Sequence, residues 1–399
     1  MQSARDFPLY FTKRFDPTPY DRIWQFEGDL SGLAKSIRQH AADRPIAGIV
    51  SGIDTGVAVA DSLGRTLGLP GNDPATSALR RDKWLMAEAL ARARIRHVKQ
   101  RRVASAAEAL QWVSANCKWP VVAKPVDSAG TQGFAICENE HHLLQHVNAL
   151  LRQRTVFETP ISSVLVQELL VGTEYIVNTV TAAGLHRPVD AWRCRKMRSG
   201  QSKVYDLEEL VPITDPTLQS QVLPYLFLVL TALGVEEGPA HTELMLSDSG
   251  TVLIETGARL QGSIDPSAVD LCIGSDHATA AARAIAIRHL NVQEHDASRL
   301  PELKRYCYCV GMVSHYSGVL REFSRESEIR SLRTFYSMSA NYRTGDFMPV
   351  TSTLLDSPGA IYLVSSDRYA LEADYRTLRQ WEKVGLFSLE AVAAAGSGT

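Results

Sequence analysis

Between His241 and Arg259 the chain reads His-Thr-Glu-Leu-Met-Leu-Ser-Asp-Ser-Gly-Thr-Val-Leu-Ile-Glu-Thr-Gly-Ala-Arg, and no other stretch restricts the fold as strongly. Two apolar runs, 243–246 and 252–255, flank Asp248-Ser-Gly250, residue types suited to a tight turn between antiparallel strands. Each run carries one carboxylate amid apolar neighbours, so hairpin pairing sets Glu243 and Glu255 side by side on one face. Adjacent carboxylates repel unless a cation stands between them. Hard oxygen donors of this kind favour Mg²⁺, which completes its shell with phosphate oxygens rather than an all-protein cage. Arg259, four residues on, adds a permanent cation whose fork suits phosphate or carboxylate. A half-exposed hairpin with two solvated acids is the plainer reading of the same residues.

Two further segments precede this hairpin. Pro120-Val-Val-Ala-Lys124 reads as a buried strand ending in a lysine, followed by a Ser/Gly/Thr-rich turn through Gly133. A lysine there is costly unless its ammonium meets a polyanion, and the turn offers backbone N–H groups able to close over phosphate oxygens. It is neither a GxxxxGK[ST] loop nor a GxGxxG fingerprint. Val164-Leu-Val-Gln167-Glu168-Leu-Leu170-Val-Gly172-Thr-Glu174 is a strand running into a linker. The linker's backbone groups can read the edge of adenine, and a carboxylate just beyond can accept both ribose hydroxyls. Each segment alone is also what an exposed hairpin looks like; together and in this order they point to a nucleotide.

The rest of the chain alternates helix and strand patterns. A strand at 45–50 entering Ser51-Gly-Ile-Asp-Thr-Gly56 and a helix ending at Gly68 reads as a βα unit of an open sheet. Leu85, Ala89, Leu90 and Ala93 repeat at helical spacing, and Ser105-Ala-Ala-Glu108 reads as a capping box. Strands are expected at 175–181, 188–193, 306–315 and 360–364, with helices from Asp215-Pro216 to Leu233 and over 368–385. Such alternation argues for α/β or α+β layers rather than a bundle or a sandwich. The expected domains are 1–76, 77–163 and 164–399. The 399 residues are 45% hydrophobic with a net charge of −2, which gives no electrostatic case for nucleic acid or an anionic membrane. No apolar run is long enough to span a bilayer and no secretory signal is visible, so a cytoplasmic protein with reduced cysteines is expected.

The lysine turn, the Gln-Glu linker and the acidic hairpin resemble the ATP-grasp superfamily, and within it the L-amino acid ligases, which make dipeptides. That resemblance implies a Rossmann-like N-terminal domain and two α+β subdomains clamping ATP. It implies that Lys83 and Lys124 hold the α/β-phosphates and that Ser128, Ala129 and Gly130 form a phosphate lid. Gln167, Glu168 and Leu170 would line adenine, Glu174 would take the ribose, and Arg259 would orient an acyl phosphate. Glu243 and Glu255 would bind one or two Mg²⁺ ions, with Mn²⁺ able to substitute. Two small molecules, a carboxylate and an amine, would be joined through that acyl phosphate, with amino acids as first choice. A homodimer is part of the same expectation. The chain departs from the pattern in two ways: Glu255-Thr-Gly257 stands where many relatives have Glu-x-Asn, and the first βα unit is not visible before Tyr10.

Several assignments stay open at this stage. His241, two residues before Glu243, reads as a phosphate contact or as a packed core histidine. The basic run from Trp192 to Lys203 reads as a solvated strand end, or as a closing loop bringing Lys196 or Arg198 to the γ-phosphate. Asp54, Asn72 and Ser263 are candidates for the substrate pocket by analogy. Rival functions are a ligase for some other carboxylate and amine, a carboxylase activating bicarbonate, and a nucleotide-binding module without turnover.

Overall fold

The structure, a computed structural model, describes residues 16–126, 132–155, 159–199, 202–262, 264–290 and 300–391. The expected phosphate lid, Ser128, Ala129 and Gly130, lies outside the described residues, as does Ser263. The chain divides into two compact units. The first holds residues 1–191, 213–264 and 277–300, and the second holds 192–212, 265–276 and 301–399.

In the first unit, α1 (Leu30–Ala41) starts at Asp29, whose carboxylate accepts from the Gly32 N–H, and packs on α2 (Val57–Leu67). Helix α2 ends at Gly68 with φ 73°, the left-handed stop that glycine adopts without penalty. Asp82 caps α3 (Lys83–Arg92), accepting from the N–H groups of Trp84 and Leu85. Residues 45–50, expected to be a strand, carry no ladder pairing among the described residues. Within this segment Gly48 packs closely on a helix, where a Cβ would meet the Ile285 side chain at 2.8 Å.

Four strands follow: β1 (Gln100–Val103), β2 (Val121–Pro125), β3 (Ala135–Cys137) and β4 (Val164–Glu168), paired in the order β1-β4-β2-β3. Helices α4 (Ala106–Asn116) and α5 (Glu140–Leu150) bury one face of this sheet with Val113, Leu143, Val147 and Leu150 against Val121, Ala123, Val164 and Val166. Each of these valine and leucine side chains contributes about 1.5–3 kcal/mol on burial. The pleat then turns Lys124 and Gln167 to the opposite face. The capping box on α4 forms with one shift. Ser105 accepts from the Glu108 N–H, but the Glu108 carboxylate accepts from the N–H of Ala104 rather than of Ser105.

The second sheet of this unit runs β6-β5-β8-β9, from β5 (Thr173–Ala182), β6 (Leu185–Ser199), β8 (Gly238–Ser247) and β9 (Gly250–Gly257). Helix α6 (Leu223–Ala232) precedes β8 and is entered through a π-turn at Leu218–Val222, started by the Asp215 carboxylate.

In the second unit, β6 continues from Trp192, and β7 (Ser202–Val211), β10 (Tyr306–Gly311), β12 (Phe335–Ala340) and β14 (Gly359–Ser365) run in the order β7-β10-β14-β12. Strands β11 (Gly318–Phe323), β13 (Phe347–Met348) and β15 (Phe387–Glu390) make a small third sheet. Also in this unit are α7 (Pro266–Ile273), the short α9 (Glu326–Arg330) and α10 (Arg368–Val384), while α8 (His277–Leu290) belongs to the first. Leu371 and Leu378 of α10 close a core with Tyr308, Val310, Ile361 and Leu363. The basic run at 192–203 is strand up to Ser199 and again from Ser202, so Lys196 and Arg198 lie within β6, and residues 200–201 lie outside the described residues. Lys196 sits on β6 with its ammonium 4.6 Å from the centre of the Tyr205 ring.

Candidate active site

One face of the second sheet gathers the residues singled out above. Across β5, β8 and β9, Glu174 stands opposite Met245, Ile176 opposite Glu243 and Glu255, and Asn178 opposite His241 and Gly257. Side chains directly opposite in a ladder share a face, so these are three successive rows, roughly 7 Å apart along the strands. The row with both acids lies between the Glu174 row and the His241 row. Helix α8 closes the far end of the face, where Ala281 packs on Val180.

Cations surround the acid pair. The Lys83 ammonium at the start of α3 forms an ion pair with Glu255. Burial works against ionisation of Glu255, yet Lys83, then Lys124 and Arg259, outweigh it and hold its carboxyl down at about 2. Burial likewise disfavours the Lys83 ammonium, but Glu255, Glu243 and Asp54 together raise its pKa above the ordinary value. Three side-chain cations and three carboxylates thus share one patch, a distribution suited to exchanging partners with a polyanion.

His241 belongs to a buried hydrogen-bonded group. The Asp190 carboxylate accepts from Asn178 Nδ2 at 2.6 Å, and the Gln261 side-chain oxygen accepts from the same amide nitrogen. This leaves Asn178 Oδ1 for His241 Nδ1, 3.0 Å away, so Nδ1 carries the proton and Nε2 the lone pair. Burial, then Arg259, pushes His241 down to about 3. The imidazole is neutral, and its Nε2 stands 3.8 Å from Glu243 Oε1. A phosphate contact through Nε2 needs a second proton that this setting disfavours. Asn178, Asp190 and Gln261 were not picked out from the sequence; continuing the period-2 alternation from Glu174 leads to Asn178.

Other expected site residues separate. Gln167 is buried on the Lys124 face. Glu168 is turned to the helix-covered face, where its carboxylate accepts from the Lys99 N–H at 2.8 Å, and its own N–H donates to Lys99 O. What Glu168 can show a base is its carbonyl. Leu170 lies in the linker between β4 and β5, which Gly172 brings so near the Leu246 carbonyl that any Cβ would collide with it. Asn72 is spent on backbone, its Oδ1 accepting from the N–H groups of Glu236 and Glu237. Asp54 instead pairs with Arg259, Nε to Oδ1 at 3.0 Å. Among the described residues no group of three or more His, Cys, Asp or Glu side chains is arranged to hold a metal. The donor set present, two paired carboxylates, fits a hard divalent ion that takes its other ligands from phosphate and water.

The model of the ATP-grasp domain matches residues 117–266, which contain the lysine strand, the linker and the acidic hairpin. The chain is 31% identical over 367 residues to dapdiamide A synthase of Enterobacter agglomerans, covering 91% of this chain and 84% of that protein. The chain belongs to the ATP-grasp family. Among solved structures, the ATP-grasp chain resembles an L-amino acid ligase from Bacillus licheniformis at a TM-score of 0.73 and 17% identity, over 92% of this chain and 86% of that one. It also resembles a biotin carboxylase from Campylobacter jejuni, solved as a β,γ-ATP complex, at 0.61 and 15%, over 92% and 80%. At such identities the likeness is one of fold, and the fold is the expected mixture of α and β layers. This ATP-grasp protein is an ATP-dependent carbon–nitrogen ligase. No described helix is long and apolar enough to cross a membrane.

Proposed function

We propose that this ligase joins the carboxylate of one amino acid to the amine of another through an acyl phosphate, with release of ADP and phosphate. The observation that carries the reading is the Glu243–Glu255 pair ringed by Lys83, Lys124 and Arg259 on one sheet face. The amino acid as substrate draws support from the names of two similar proteins, an L-amino acid ligase and dapdiamide A synthase.

In this reading the nucleotide lies along the three rows. Gln167, the Glu168 carbonyl and Leu170 face adenine, Glu174 accepts from the ribose hydroxyls, and Ser128, Ala129 and Gly130 cover the phosphates. Glu243 and Glu255 hold one or two Mg²⁺ ions, which supply positive charge to the triphosphate. Lys83 and Lys124 turn from Glu255 to phosphate oxygens. A substrate carboxylate oxygen attacks the γ-phosphorus and the bond to the ADP oxygen breaks. The amine nitrogen then attacks the acyl carbon, the bond to phosphate breaks, and the nitrogen loses a proton. Arg259 neutralises the phosphate through both steps, so catalysis rests on positioning and charge stabilisation, without a side-chain nucleophile. His241 borders the reacting end as a neutral acceptor, and Lys196 is a further candidate for phosphate contact. Cytoplasmic location, a homodimer, and the three-domain division at 76 and 163 complete the proposal. None of the six cysteines forms a disulfide, which accords with the first.

A coupled ADP-release assay over pairs of amino acids, with product masses read afterwards, tests this. Dipeptide masses are expected. ADP release that depends on bicarbonate rather than on an amino acid pair rejects it. Glu255→Gln is expected to lower turnover by about 10²-fold or more while the far-UV circular dichroism stays unchanged. Near-normal turnover in that variant would show that the acid pair does not serve the nucleotide.

A further inference from the structure

Gly257 ends β9 in the row that holds His241, and its φ lies outside the left-handed region, so conformational freedom does not explain a glycine there. Space does. A Cβ at 257 would lie 2.6 Å from Asp54 Oδ1 and 3.2–3.3 Å from Cγ and Nε of Arg259. The Asp54 carboxylate thus fills the volume that any side chain at 257 would need. It comes from the turn 51–56, which is tied down independently. Ser51 Oγ donates to Ile53 O at 2.8 Å, Gly56 N–H donates to Ile53 O at 2.9 Å, and Ser51 O accepts from the Leu260 N–H at 3.2 Å. The Arg259 guanidinium is held on two sides, with Nε on Asp54 Oδ1 and Nη1 on Leu260 O, both at 3.0 Å. Among the described residues no partner takes Nη2. Both side chains are partly exposed, Asp54 29% and Arg259 16%.

We propose that Asp54 is a positioning residue for Arg259, that it aims Nη2 at the reacting carboxylate or phosphate, and that position 257 is glycine to admit it. This rests on the reading of Arg259 given above. The turn 51–56 is then part of the site, although it lies far outside the residues matched by the domain model. An arginine held by its Nε presents one edge in a defined plane, whereas an unheld one samples many rotamers. The consequence falls on the substrate carboxylate more than on ATP, because Lys83 on α3, Lys124 on β2 and the acid pair on β8 and β9 are placed by those elements and not by the turn 51–56.

The test has two arms. In the kinetic arm, Asp54→Ala is expected to reduce kcat/KM for the carboxylate substrate by about 10²-fold. The affinity for ATP, read by calorimetry, stays within about threefold of the wild type. Asp54→Asn keeps an oxygen for Nε and recovers most of the loss, whereas Asp54→Leu, close in size but without an acceptor, does not. Equal losses in Ala and Asn variants, or an Ala variant near wild-type rates, overturn the proposal. In the second arm, thermal denaturation is read for Gly257→Ala, Asp54→Ala and the double variant. Gly257→Ala is expected to destabilise alone, by displacing the Asp54 carboxylate, and less when Asp54 is already alanine. Additive effects overturn the claim that Asp54 dictates the glycine. A wild-type enzyme that releases no ADP with any amino acid pair rejects the proposed function instead, and the denaturation cycle still decides the contact.

Discussion

Arg80 has no exposed surface, and both terminal nitrogens of its guanidinium are committed, to Asp61 at 2.8 Å, to Thr76, and to the carbonyls of Asp73, Leu233 and Gly234, while its buried Nε has no hydrogen-bond partner among the described residues. The last two carbonyls lie just past the C-terminal end of α6, where a cation is favoured. One buried ion pair therefore anchors α2 to α6. Removing only one partner leaves an uncompensated buried charge. Asp61→Ala is expected to cost about 3–5 kcal/mol, read as a lowered urea midpoint at unchanged slope; a loss below about 1 kcal/mol would mean that water reaches Arg80. Nothing local marks this arginine as buried, since Arg80-Arg81-Asp82 reads like any helix entry. Lys83, two residues before Leu85 in the helical pattern, was singled out by resemblance, and its partner Glu255 lies 172 residues away (255 − 83).

At the scale of elements, the hairpin β8–β9 was legible because its cues are local. Apolar residues, a turn of Asp, Ser and Gly, and two acids at nearly matching distances from that turn define the register. The structure adds one irregularity: the register running from Ser247 opposite Gly250 would set Glu243 against Ile254, and a shift between Glu243 and Leu244 brings Glu255 opposite it instead. The length of β6 was not legible. Its second half is interrupted by Arg193, Arg195 and Lys196, and what makes it a strand is pairing and the partners of its charges, such as Asp206 accepting from Arg195 Nε at 2.7 Å. The linker after β4 depends on Gly172, where the Leu246 carbonyl excludes a Cβ. Gly172→Ala is expected to destabilise by more than about 1 kcal/mol and to weaken ATP binding severalfold, because the linker must shift away from β8. Calorimetry with an ATP analogue and a thermal melt check both effects; unchanged ATP affinity would place adenine elsewhere.

Over the whole molecule, near-neutral net charge leaves the pH response to a few buried groups. His146 and His186 are both depressed by burial, His186 between Thr181 Oγ1 and Thr231 Oγ1 at 2.8 and 3.0 Å. Their folded values lie below the unfolded value of about 6.5, so the unfolded chain binds more protons in between. The stability they contribute is present above that value and is lost as pH falls below it. The urea midpoint is expected to drop between pH 7.5 and pH 5.5, and His186→Gln to flatten that drop; a midpoint that rises on acidification would contradict it. The sequence by itself determined the order of motifs, the acid-bearing hairpin, most helix starts and the alternation of layers, because caps, turns and periodicities act within a few residues. Only tertiary structure decided that residues 45–50 carry no ladder among the described residues, that Asn178 and Asp190 set the tautomer of His241, and that Asp54 meets Arg259 across 205 residues. Such contacts depend on which surfaces survive the entropy of closing long loops, and no local pattern in the chain records that outcome.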